Sequence, residues 1–426
     1  MTFAEGISRR DGALYCADVA LSTIAADVGT PTFVYNLDAV RARYREHVAA
    51  FAGLRHRACY AVKANGSLAL LHALAREGCG FDANSAGELA RCLRAGADPA
   101  LITMTGVGKS RRDVEAAFDA GVLRFNIESA SECRMISDIA ERRGVCAEVL
   151  LRLNPDVETD THPYISTGEA AHKFGLGAAD IHALASQAAW LPGLRIAGLS
   201  FHLGSQILSP EPYVQALHLL VHVLDSITPL LADAPTVLDI GGGFGVAYEE
   251  DQTAFPLSLL ANALREVLGE RVSSLEVITE PGRSIVANAG VLLSTVEHIK
   301  PSPSGTFLII DAGMNDLLRP ALYGALHRIV PLREYENDEQ LTYEVVGPVC
   351  ETGDTFARRY PLPIAVEQGD VVAVLSAGAY ASSMSSTYNS RPLAAEVVVS
   401  GERWMISRER QSIESMLQLE RIPDGM

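Results

Sequence analysis

The chain is 426 residues long, with 48% hydrophobic and 20% charged residues, an ordinary globular composition whose length suits two domains better than one core. Its formal charge of −17 argues against nucleic acid or an anionic membrane surface as partner, because both repel an acidic shell. Seven cysteines at irregular spacing fit a reducing cytoplasm, no secretory leader is evident, and no histidine–cysteine spacing speaks for a metal such as zinc.

Residues 1–35 precede the main pattern and are expected to contribute to a β domain formed later in the chain. Within 36–283, short apolar runs alternate with amphipathic helical stretches. The strand candidates are RACYAV (57–62), GFDAN (80–84), LITMTG (101–106), RFNIE (124–128), AEVLLRLN (147–154), RIAGLSFHLG (195–204), TVLDIGG (236–242) and LEVITEPG (275–282). Between them lie helix-like segments such as SLALLHALAREG and SAGELARCLRAG, closed by glycine as helix C-termini prefer. Eight strand–helix alternations over this length predict an α/β fold, a (β/α)8 TIM-type barrel. The alternative is a doubly wound open sheet, but its glycines would follow the first strand and these come late. The most apolar helical run, LHLLVHVLDSI, is too short and too interrupted to span a bilayer. From 284 to 426 the pattern changes to β-rich runs such as TFLIID, TYEVVG, DVVAVLS and AEVVVS, which predict a mostly β C-terminal domain.

Barrel enzymes expose reactive groups at the C-terminal ends of their strands. Reading those ends yields Lys63 after the first strand, Asp82 and Ser85 after the second, and His202 after the sixth. Gly241 to Gly245 follow the seventh, and Glu280-Pro281-Gly282-Arg283 follow the eighth. Glycines on the last two loops, with Arg283, point to a phosphate site. Lys63 is one of four lysines; an amine of ordinary basicity is a poor nucleophile, and the apolar flanks Tyr60-Ala61-Val62 and Ala64 offer the setting that changes this. The competing reading is a solvated strand-end lysine. For His202 it is a satisfied core histidine, and Ser85 with Glu88 forms a helix capping box whatever else the serine does. A carboxylate at Glu280 would keep a pyridine nitrogen protonated and the ring a strong electron sink; otherwise it is a solvated strand-end glutamate. Together these residues point to a pyridoxal 5'-phosphate enzyme.

The motifs YAVKAN, HLGSQ, GGGFG, EPGR, DAGMNDLLRPALYGA, GPVCETGD and SAGAY…SSTYNSRP occur in this order, with HPYISTG…HKFG at 162–175. The set resembles the diaminopimelate decarboxylases, of the alanine-racemase-like fold group of pyridoxal-phosphate enzymes, from about residue 30 to 420. The resemblance implies that Lys63 carries the covalent link to the cofactor and that His202 stacks on its ring. It implies that Ser205, Gly242, Gly243, Gly282 and Tyr380 hold the phosphate and that Glu280 pairs with the ring nitrogen. Asp82 lies beside the cofactor, Arg283 and Tyr380 serve cofactor and substrate, and Arg283, Arg319 and Tyr323 take the substrate's distal carboxylate. Cys350 and Glu351 come from the partner subunit of a homodimer, the cysteine being linked to protonation after carbon dioxide leaves. The implied reaction converts meso-2,6-diaminopimelate to L-lysine and carbon dioxide, in lysine biosynthesis. A related basic-amino-acid decarboxylase would lack a use for Arg319 and Tyr323, a racemase would replace Glu280, and a non-catalytic homologue would have lost the cofactor set. Two positions depart from the family: Ala83-Asn84 stands where two valines are common, and Ala381 where glycine is usual.

Overall fold

The computed structural model describes residues 5–157, 173–249, 251–303, 305–337, 339–423 and 425; all but the last three residues of the 162–175 motif lie outside them. The chain forms two compact units, one of Arg41–Ala247 with Thr253–Ile285 and one of Met1–Val40, Tyr248–Gln252 and Val286–Met426.

In the first unit, eight parallel strands close into a barrel: His56–Ala61, Gly80–Ala83, Ile102–Met104, Arg124–Ile127, Ala147–Arg152, Leu194–Ser200, Val237–Asp239 and Glu276–Thr279. The last pairs with the first, Val277 opposite His56. This is the expected (β/α)8 barrel. The sixth strand stops at Ser200, short of the run expected to 204, and its ladder with the fifth shifts register between Ile196 and Gly198. Gly198 is needed there, because a Cβ would sit 1.8 Å from the Val237 carbonyl oxygen on the seventh strand. Apolar residues alternate inward with the two-residue period of a strand, and Cys59, Leu150, Ala197, Val237 and Ile278 pack together, none more than 3% exposed. Serine side chains at 85, 110 and 129 cap the helices that begin at Ala86, Arg111 and Ala130, each cap being worth about 1 kcal/mol. At the second loop the capping box is only half formed: Ser85 accepts from the Glu88 N–H, but the Glu88 carboxylate reaches the Asn84 N–H at 2.7 Å.

The second unit is mostly β. Its sheet runs in the order Thr355–Pro363, Gln340–Val346, Gly305–Ile310, Gly290–Ser302, Thr32–Asn36, Ala395–Ser400, Arg403–Arg408. The early strand Thr32–Asn36 is buried along its length and lies inside the sheet, antiparallel to Gly290–Ser302 and parallel to Ala395–Ser400. Val34, Val291, Leu293, Val397 and Val399 form the core on one face, two residues apart on each strand as the pleat requires. A separate three-stranded sheet spans Ile7–Arg10, Ala13–Cys16 and Val19–Ala20. Among the described residues no helix is long and apolar enough to cross a membrane.

Candidate active site

Lys63 sits on a short turn, Val62–Ala64, that follows the first barrel strand. Val62 and Ala64 are each 1% exposed, so the turn lifts the lysine from an apolar seat. Its Nζ lies 3.1 Å from Asp82 Oδ2 at the end of the second strand. The Thr105 hydroxyl, from the end of the third, donates to the other Asp82 oxygen. A buried carboxylate held from behind therefore orients the amine. Asn84, one of the two departures from the family pattern, faces the same space, with its Oδ1 3.1 Å from the Thr105 hydroxyl.

Lys63 and Glu280 line one cavity of about 180 Å³ in the barrel unit, together with Asn126, Arg152, Phe174 and His202. That is below the roughly 300 Å³ at which pockets for drug-sized ligands begin, and it suits a single substituted ring. On its far wall, Asn126 Nδ2 donates to Asp239 Oδ2 at 3.0 Å and to Glu280 Oε1 at 3.3 Å. Carboxylates are acceptors, so the amide must present its NH2 group to them. That leaves Asn126 Oδ1 as a buried acceptor without a partner in the protein. Burial, then the negative charges of Asp239 and Asp82, hold the Glu280 carboxyl well above the ordinary carboxylate range, while Lys63 pulls the other way. Two buried carboxyls so placed do not both ionise readily.

His202 Nδ1 accepts the Gly242 N–H at 3.1 Å, so the ring carries its proton on Nε2. Burial, followed by the charges of Lys63 and Arg152, keeps the imidazole well below its ordinary pKa. Its approach to Glu280 Oε2, 3.7 Å, is thus between a neutral ring and a carboxyl group. Gly242 must be glycine, because a Cβ would lie 1.9 Å from the Glu280 carbonyl oxygen, and Gly243 combines φ +97° with a 2.3 Å approach to the Gly204 carbonyl. Gly282 abuts Ala61 and Ala64 beside Lys63, and Arg283 Nη2 bonds Ser205 Oγ at 2.8 Å. Lys63, Asp82, His202, Ser205, Gly242, Gly243, Glu280, Gly282 and Arg283 are thereby joined in one contiguous region of the barrel unit.

Arg319, Tyr323, Cys350, Glu351 and Tyr380 belong to the β unit. Arg319 is buried and Tyr323 half-buried on the short helix Arg319–Tyr323, whereas Cys350 and Glu351 are exposed. Tyr380 has φ +53°. Ala381 after it has φ −111°, outside the left-handed region that favours glycine.

Sequence reasoning missed Asn126, Arg152, Asp239 and Thr105. The signals were present: a polar residue inside RFNIE and VLDIGG, and an arginine and a threonine at strand ends. Lys109, by contrast, is structural, donating from a buried position to the carbonyls of Gly106 and Asn126 at 2.7 and 2.6 Å.

A ring bearing a protonated nitrogen, an aldehyde and acceptor-rich substituents fits this donor set. Its cation would offset the crowded carboxyls of Glu280, Asp239 and Asp82, and a donor would satisfy Asn126 Oδ1. The barrel and the site define a pyridoxal-phosphate-dependent enzyme. Residues 37–287 match the family described as pyridoxal-dependent decarboxylase, pyridoxal binding domain. The diaminopimelate decarboxylase of Pseudomonas aeruginosa is 45% identical over 96% of this chain and 97% of its own length. Among solved structures, diaminopimelate decarboxylase from Helicobacter pylori complexed with L-lysine has a TM-score of 0.89 at 37% identity, covering 94% of this chain and 98% of that one. The M. jannaschii diaminopimelate decarboxylase in co-complex with L-lysine has a TM-score of 0.92 at 31% identity, covering 99% of each chain. The chain belongs to the pyridoxal-dependent decarboxylases, in the branch of the diaminopimelate decarboxylases.

Proposed function

We propose that the chain decarboxylates meso-2,6-diaminopimelate to L-lysine and carbon dioxide with pyridoxal phosphate as cofactor, working as a cytoplasmic homodimer. The observation that carries this reading is the meeting, at one cavity, of the Lys63 amine and the Glu280 carboxyl, which Asn126 links to the buried Asp239. Lys63 would hold the aldehyde carbon, Glu280 the ring nitrogen and His202 the ring face. Ser205, Gly242, Gly243, Gly282 and Tyr380 would hold the phosphate, with Asp82 and Arg283 beside them. The bound cofactor supplies an electron sink for the bond to Cα that breaks.

The chain's own groups do the rest. Asp82, held by Thr105, aims the Lys63 amine. Glu280 keeps a proton at the ring-nitrogen end, which an arginine in its place would not favour. Arg283, Arg319 and Tyr323 bind the distal carboxylate, for which the planar guanidinium fork is suited. Glu351 would take the distal ammonium group, and Cys350 would take part in the protonation that follows loss of carbon dioxide, both reaching from the partner subunit. Lysine and ornithine have no second carboxylate to offer these arginines. The carboxylate to be lost is best kept from a free cation, and Arg152 at the cavity is paired with Glu128 at 2.5 Å. Five buried thiols among seven free cysteines support a reducing compartment, and the exposure of Cys350 and Glu351 supports a role across subunits.

The test is carbon dioxide release by the purified holoenzyme from diaminopimelate isomers, lysine, ornithine and arginine. Release from the meso isomer alone is expected. Comparable turnover of lysine or ornithine would remove the substrate assignment.

A further inference from the structure

Asn126, Asp239 and Glu280 come from the ends of the fourth, seventh and eighth barrel strands, and all three are buried. The backbone fixes Asp239: its Oδ1 accepts the Gly241 N–H at 2.9 Å, and the Gly241 carbonyl in turn accepts the Glu280 N–H at 2.8 Å. Asp239 Oδ2 accepts from Asn126 Nδ2 at 3.0 Å, and the same Nδ2 reaches Glu280 Oε1 at 3.3 Å. An ionised carboxylate only accepts, whereas an amide can turn either its NH2 or its oxygen to a neighbour. Asp239, held with both oxygens on N–H donors, therefore selects the NH2. Glu280 is met by a donor as a result.

A donor on a carboxyl oxygen favours the ionised form, and a nearby negative charge favours a cation. Burial with the charges of Asp239 and Asp82 holds the Glu280 carboxyl above the ordinary carboxylate range, so a proton is at hand. With a ring nitrogen against Glu280, both effects of the Asp239–Asn126 pair point the same way. The proton leaves the carboxyl oxygen and settles on the nitrogen, turning COOH and N into COO⁻ and N–H⁺. We propose that Asp239 and Asn126 are positioning residues that assign this proton: Asp239 turns the Asn126 amide, and the amide N–H keeps Glu280 a carboxylate under a protonated ring nitrogen. This rests on the reading of Glu280 as the partner of that nitrogen. A protonated nitrogen is what makes the ring a strong electron sink, so the two residues act on the chemistry without touching the substrate.

The test is the 15N NMR shift of pyridoxal phosphate labelled at its ring nitrogen and bound to the full-length chain, with thermal melts to establish folding. The unaltered protein should give the shift of a protonated nitrogen. In Asp239→Asn the new amide keeps its oxygen on the Gly241 N–H, so its NH2 draws the Asn126 oxygen round and Glu280 faces an acceptor. The ratio of protonated to unprotonated nitrogen should fall about tenfold. Asn126→Leu removes the donor outright and should lower the ratio about three- to tenfold. The other titratable groups facing Glu280, namely Lys63, Asp82, Cys59 and His202, are the same in both variants. An unaltered ratio in either folded variant would overturn the proposal, and if one variant does not fold the other decides. Glu280→Gln separates the two levels. Loss of the nitrogen's proton there upholds the reading on which the proposal rests, and a nitrogen still protonated removes both.

Discussion

Gly242 and Gly87 are both glycines near the site, and their neighbours give them opposite meanings. A Cβ at 242 would lie 1.9 Å from the backbone oxygen of Glu280, whereas at 87, inside the helix Ala86–Arg94, it would meet only Ser85 Oγ at 3.7 Å. Backbone cannot step aside as a flexible side chain can. Gly242→Ala is expected to destabilise the barrel unit by about 1–3 kcal/mol or more. Gly87→Ala should stabilise it by about 0.5 kcal/mol through helix propensity and a less flexible unfolded chain. Thermal or urea melts of the two variants check both signs. The glycine run after the seventh strand is thus demanded by packing before any ligand arrives, which its spacing alone does not reveal.

Between the helix Leu37–Ala50 and the strands His56–Ala61 and Glu276–Thr279, two histidines share one hydroxyl. His47 Nε2 and His56 Nε2 lie 2.8 and 2.9 Å from Thr279 Oγ1, and the Phe51 ring stacks on His56 at 4.4 Å. Burial lowers His47 to about 3, with the charge of His56 adding to the effect, and burial lowers His56 to about 4. The unfolded chain takes up these protons near pH 6.5 and the folded chain only near pH 4 or below. Between those values the unfolded state binds more protons, so stability falls as the pH falls from 6.5 to 4. His56→Gln keeps an amide near the hydroxyl but does not titrate. It should flatten the slope of unfolding free energy against pH by up to about 1.4 kcal/mol per pH unit in this window. An unaltered slope between pH 6 and 5 would show that His56 is not buried in its neutral form.

For the whole molecule, the homodimer proposed above would divide the chemistry between chains, Lys63 of one protomer working with Cys350 of the other. Mixing Lys63→Ala with Cys350→Ala subunits should then restore activity that neither variant has alone. Random pairing makes half of the dimers mixed with one intact site each, so about a quarter of wild-type activity is expected. No recovery despite demonstrated subunit exchange would argue against a shared site.

Lys63, His202 and Glu280 were legible because a barrel puts chemistry at strand ends, and strand ends can be read from the alternation of apolar runs and helices. Fold class followed from the same periodicity, which burial imposes locally on each strand and helix. Asn126 and Asp239 were visible only as polar letters in apolar strands; which face they take is settled when the barrel closes and sets them on Glu280. The half-formed capping box at Ser85 is similar, since spacing cannot tell whether the Glu88 carboxylate chooses the amide of residue 85 or 84. In the β unit, His327 Nε2 meets Arg319 Nη1 at 2.8 Å across a chain reversal at Gly324, which has φ +61°, and the Tyr248 ring joins them from 71 positions upstream. Local pattern therefore determined the elements and the reactive lysine, carboxylate and imidazole. Only tertiary closure decided which groups orient them, because hydrogen bonds between distant residues leave no period in the sequence.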